Sequence, residues 1–232
     1  MDLCISVSAR EPGAALVVRA CTPEEPAAAV TNAIGADGCW LDPILWESIP
    51  AGQNGTVTAR YHRALDARKD FQPSRRPITY IENHDHSTIT EQCGGRNVWW
   101  KTQPLAIALL SICGAPLLHN RQEFGEQYWF PEDGNQRVMP RPLRWERSTD
   151  ATGVALRNFY RQLIAIRKAH PAVRSQNVFP SNDGSQQFNS SGYGIDSSRG
   201  LTICHRWADV GNGQTERLHS ALIWSSDTRY RA

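Results

Sequence analysis

No stretch of this sequence approaches the roughly 18 consecutive apolar residues of a membrane-crossing helix. The start, Met1-Asp2-Leu3-Cys4-Ile5, lacks a basic segment leading into an apolar core, so no signal peptide is expected. Neither sign of charge is in excess: 25 Lys+Arg stand against 23 Asp+Glu, for a net charge of +2. That balance gives no electrostatic footprint for nucleic acid or an anionic membrane as a partner. The cysteines, at 4, 21, 39, 93, 113 and 204, show no Cys-x-x-Cys spacing and read as reduced, partly buried thiols of a cytoplasmic protein. Internal repeats and low-complexity tracts are also missing. What remains, 40% hydrophobic and 21% charged residues over 232 positions, is ordinary for a soluble chain of one large or two small domains.

Residues 1 to 35 carry little signal beyond Thr22-Pro23-Glu24-Glu25. A hydroxyl cap, an early Pro and carboxylates near the positive dipole end predict a short helix from there to about Ile34. Trp40 and Trp46 follow, then a Gly/Asn-rich break at Gly52-Gln53-Asn54-Gly55 and a helix pattern over Val57 to Ala67.

The pattern sharpens after Pro77. Ile78, Tyr80 and Ile81 form a β-type run that stops at Asn83-His84-Asp85-His86. Leu105 to Leu110 is apolar on every face, which predicts a buried helix stopped by Gly114, with Cys113 packed inside it. Pro116 to Asn120 is a second short strand with a polar end. Strand, helix, strand in that order is a βαβ unit with parallel strands. An irregular stretch, 121–149, precedes a helix that Asp150 caps and Pro171 ends. Beyond about 175 the period changes to two. Leu201, Ile203, His205 and Trp207 alternate with polar residues, and Gly211-Asn212-Gly213 turns the chain into a partner strand, Leu218 to Trp224.

Four segments in order carry a family resemblance. Asn83-His84-Asp85 at a strand end resembles the Asn-His-Asp motif of the α-amylase family of glycoside hydrolases. Gly114-Ala115-Pro116 through Gln122-Glu123 resembles that family's eighth-strand segment, G-x-P-x-x-x-x-G-Q-E. Arg141-Pro142-Leu143-Arg144-Trp145 and the helix from Phe159 to Lys168 are similar to its ending, and the later strands to the β-domain that follows. The resemblance implies an α/β fold: the C-terminal part of a (β/α)8 barrel over residues 1–174, strands seven and eight included. A small, incomplete antiparallel β-sandwich over 175–232 follows. A complete barrel alone takes about 250 residues, so the chain is expected to be truncated.

By that resemblance Asp85 is the transition-state carboxylate, His84 donates a hydrogen bond to the same sugar, and Asn83 and Glu123 contribute to substrate binding. The implied partner is an α-glucan or oligosaccharide, acted on by hydrolysis or transglycosylation with retention. No cofactor and no metal are implied. Retention needs two further carboxylates, a nucleophile and an acid, roughly 5–5.5 Å apart. Gly38-Cys39-Trp40-Leu41-Asp42 is faintly similar to the nucleophile segment, but Trp40 stands where Arg is expected. Asp42 also lies only 43 residues before Asp85 (85 − 42), whereas three βα steps need roughly 90. Glu47 follows Asp42 too closely to lie on the next strand. The chain is therefore expected to be inactive alone, and to need a complementing N-terminal chain. Other readings stay open at this point: a non-catalytic glucan-binding module, a capping turn for Asp85 and His84, or a metal pair from His84 and His86. Arg121, where the family has Gly, is a poor fit to a left-handed turn.

Overall fold

The computed structural model describes residues 15–19, 24–66, 70–129, 140–181 and 184–224. The first of its two sheets has four parallel strands in chain order: β1 (Val17–Arg19), β2 (Gly38–Leu41), β3 (Ile78–Thr79) and β4 (Ala115–Pro116). Helical crossovers join them. α1 (Glu24–Ile34) links β1 to β2, and α2 (Pro43–Asn54) with α3 (Ala59–Leu65) links β2 to β3. α4 (Ile89–Gln92), a 3₁₀ segment at Arg96–Thr102 and α5 (Gln103–Ser111) link β3 to β4. The βαβ unit read from sequence is present, but the parallel layer is four strands rather than the two that were expected. β1 and β2 are three and four residues long, too short for a periodicity to stand out.

Alternation along β2 sorts the two faces of this sheet. Cys39 and Leu41 are buried in the core with Ala27 and Ala28 of α1, Ile44 of α2, Tyr61 of α3 and Leu109 of α5. Trp40 points the other way and is half-buried. α5 keeps its Pro in the first turn and buries Leu105, Ala106, Ala108, Leu109 and Leu110. The expected break at 52–55 is instead the last turn of α2. Gly52 is helical and leaves no room for a side chain, since a Cβ there would sit 2.3 Å from Cys93 Sγ, and Gly55 closes the helix at φ +77°.

α6 (Ala151–Ala169) starts where Asp150 accepts the Gly153 N–H at 2.7 Å, and it buries Leu156 and Tyr160 beside Ala106 and Leu110. Pro171 ends it and opens one further turn, α7 (Pro171–Arg174). The second sheet is antiparallel: β5 (Val178–Phe179), β6 (Gly194–Asp196), β7 (Leu201–Gly211) and β8 (Gln214–Ile223), all paired to β7. Asn212 and Gly213, at φ 53° and 71°, make the two-residue hairpin turn that the sequence predicted. The sheet docks on the helices of the first unit. Arg206 donates to Leu65 O at 2.7 Å and Ser175 O at 2.9 Å, and the Trp224 ring meets Tyr61 with centroids 4.8 Å apart. A sandwich needs a second facing sheet; among the described residues this layer is a single sheet.

The Thr22-Pro23 helix start, Cys4, Cys21 and part of the 121–149 stretch lie outside the described residues. Cys39, Cys93, Cys113 and Cys204 are buried as thiols. Among the described residues, no helix is long and apolar enough to cross a membrane.

Candidate active site

Parallel α/β layers keep their chemistry at the C-terminal strand ends, where the backbone leaves the ladder and side chains face one mouth. Here β2, β3 and β4 converge in register: Trp40 pairs with Ile78 and Leu41 with Thr79, and Ile78 pairs with Ala115. Their ends deliver Asp42, the segment from Glu82 to His86, and His119 to adjacent positions on one rim.

The segment after β3 is held from within. Asn83 is buried at 3% exposure, and its Oδ1 accepts the Asp85 N–H at 2.8 Å. This Asx turn fixes the backbone from which the Asp85 carboxylate projects. His84 Nε2 lies 3.5 Å from Asp85 Oδ1, with side-chain exposures of 57% and 19%. An imidazole N–H beside a half-sheltered carboxylate offers one donor and one acceptor to a polyhydroxyl ligand. The Arg141 guanidinium donates to His84 O at 2.9 Å, so the 140–144 segment closes over this turn.

Beneath it lies Glu82, which no sequence motif marks. It is 1% exposed, accepts the Ile89 N–H at 2.6 Å and meets His119 Nδ1 at 3.3 Å. Burial pushes its carboxyl pKa up, against the opposing pull of His119. The only sequence signal was its place, one residue before the polar cluster, in a run otherwise apolar.

Arg121 adopts φ +81°, the left-handed conformation that a Gly would take without strain. The structure keeps Arg there through its side chain. It is 5% exposed and donates to Pro142 O at 2.8 Å and Arg141 O at 3.3 Å. Arg121 thus ties the end of β4 to the segment that reaches His84.

Glu123 sits half-buried on a 3₁₀ turn, Gln122–Phe124. Its neighbour Gln122 is locked inward, accepting from His119 N at 3.2 Å and donating to the Tyr160 hydroxyl at 2.9 Å. Glu126, one turn on, is fully buried and pairs with Arg144 and with Arg147 at 2.7 Å. Of the two glutamates, Glu126 is therefore a structural anchor. Tyr128 lies under the Arg144 guanidinium at 4.6 Å, while Trp129 is 66% exposed.

Asp42 lies at the end of β2, one strand from Asp85 rather than three, which explains the short spacing. It stands at the N-cap of α2 without a side-chain cap and instead accepts the Tyr80 hydroxyl. Among the described residues, no group of three or more His, Cys, Asp or Glu is arranged to hold a metal ion.

No protein-family model matches the chain. A curated relative, Alpha-amylase 2 of Dictyoglomus thermophilum, is 29% identical over 128 residues, covering 53% of this chain and 22% of that protein. Among solved structures, an α-amylase from H. orenii overlays at a TM-score of 0.60 with 19% identity. The overlay covers 84% of this chain and 41% of that one. AmyP, solved in complex with maltose, overlays at 0.58 with 12% identity, over 83% and 40%. The chain therefore spans less than half the length of each of these three proteins. Sequence and fold together mark it as similar to the C-terminal portion of α-amylase-family glycoside hydrolases.

Proposed function

We propose that this chain carries the substrate-holding corner of an α-glucan-acting glycoside hydrolase or transglycosylase, without the pair of carboxylates that breaks the bond. The observation that carries the reading is the Asn83-braced Asp85, with His84 3.5 Å away, at the end of a parallel strand. In a retaining reaction the sugar passes through a cationic, flattened ring. An Asp85 carboxylate accepting its hydroxyls would stabilise that charge, and His84 would donate to the same ring. Neither group supplies a nucleophile on one side and a proton on the other. Asp42, the nearest candidate by strand order, is occupied by Tyr80.

The maltose-bound neighbour supports an oligosaccharide as the ligand class. A second reading, a glucan-binding module with no parent chemistry, is favoured by the same engagement of Asp42. The buried thiols support a reducing, cytoplasmic setting. Turnover in this account needs a complementing N-terminal chain that supplies the missing carboxylates.

The test is product chromatography after incubating the purified chain with maltoheptaose. No shorter oligosaccharides are expected. Turnover that Asp85→Asn abolishes would overturn the incomplete-site reading.

A further inference from the structure

β2 runs into α2 with no loop: the strand ends at Leu41, Asp42 holds the N-cap position, and Pro43 begins the helix. That direct passage sets two tryptophans beside the Asp85 turn. Trp40 lies on the sheet face opposite the core, and Trp46 is in the first turns of α2. Each meets one histidine of the turn. Trp40 and His84 have centroids 6.0 Å apart with planes at 74°, and Trp46 and His86 are 4.8 Å apart at 79°. The histidines are the residues on either side of Asp85.

Trp46 is 44% exposed, whereas Trp224, an indole of the core, is 4% exposed. A lone exposed apolar side chain is common and needs no explanation. Trp46 differs in being held at a fixed angle against a residue of the candidate site. An edge-on ring contact orients an indole without covering it.

We infer that Trp40 with His84, and Trp46 with His86, form a two-position aromatic clamp. It takes adjacent units of a neutral, α-linked gluco-oligosaccharide alongside Asp85. This deepens the proposed function and rests on it. A pyranose presents one face of C–H bonds that packs on an indole, while its rim hydroxyls reach the imidazoles and the carboxylate. The ligand is neutral because Asp42 and Asp85, at the ends of adjacent strands, would repel a uronic or phosphorylated sugar.

Calorimetric titration of the full chain with maltoheptaose tests it. Trp46→Ala is expected to weaken binding about 2- to 12-fold, the loss of one stacking contact, and Trp46→Phe to restore most of it. Its exposure predicts an unchanged melting temperature. His86→Ala, which removes the ring that orients Trp46, is expected to weaken binding several-fold as a second check. If the wild-type chain binds and Trp46→Ala binds equally well, the clamp is wrong and the Asp85 corner stands. If the wild-type chain binds no maltoheptaose, both fall.

Discussion

The carboxylate of Glu82 and the imidazole of His119 meet at 3.3 Å, joining the end of β3 to the end of β4 beneath the Asp85 turn. A buried acid is an awkward support, because a charge there is poorly solvated and a neutral carboxyl can hold only part of the network.

A pH dependence follows. Burial raises the folded pKa of Glu82 above the ordinary value of about 4.3. Between the two values the unfolded chain has released its proton and the folded chain retains it. Stability from this group is therefore greatest at low pH and declines as pH rises through that window. Glu82→Gln stays neutral and keeps an acceptor for Ile89. Urea unfolding of both proteins from pH 4 to 8 should show the Gln variant gaining on the wild type as pH increases. A variant that loses ground with rising pH would mean that Glu82 works ionised, as a partner to protonated His119.

Arg121→Gly removes a left-handed strain of about 1–2 kcal/mol. It also removes charge-assisted hydrogen bonds to Pro142 O and Arg141 O, each worth about 1.5–3 kcal/mol. The contacts outweigh the strain, so a net loss of about 1–5 kcal/mol is expected in chemical denaturation. A more stable Gly variant would show that the backbone strain dominates.

The four-stranded parallel sheet is open among the described residues, with β1 at one edge and β4 at the other. Open edges beside half-exposed apolar side chains favour association. Sizing with light scattering should find species larger than one chain at micromolar concentration. A sharp monomer peak with a single cooperative melt would count against a half-built barrel.

Much of this was legible from local chemistry. Asp150 caps α6, Asn212-Gly213 turns the β7–β8 hairpin, and Pro104 opens a helix apolar on every face; each is a signal set by one or two residues. The left-handed turn at Arg121 was readable as a conflict, but not its resolution, since the carbonyls of 141 and 142 come from 20 residues further on. β1 and β2 were not legible because strands so short derive their identity from neighbours, not from pattern. α2 was not legible because Gly52 reads as a breaker, when a Cβ there would crowd Cys93. Glu82, and the Trp46–His86 contact, depend on which strands lie side by side, and sequence spacing does not give that.

The most direct measurement is a maltoheptaose titration of the wild-type chain and its Asp85→Asn variant, with the products of each mixture analysed in parallel. Binding heat is expected for the wild type, binding weaker by about tenfold or more for the variant, and intact heptaose in both. Cleaved sugar from the wild type, or binding indifferent to Asp85, would contradict the incomplete-site reading.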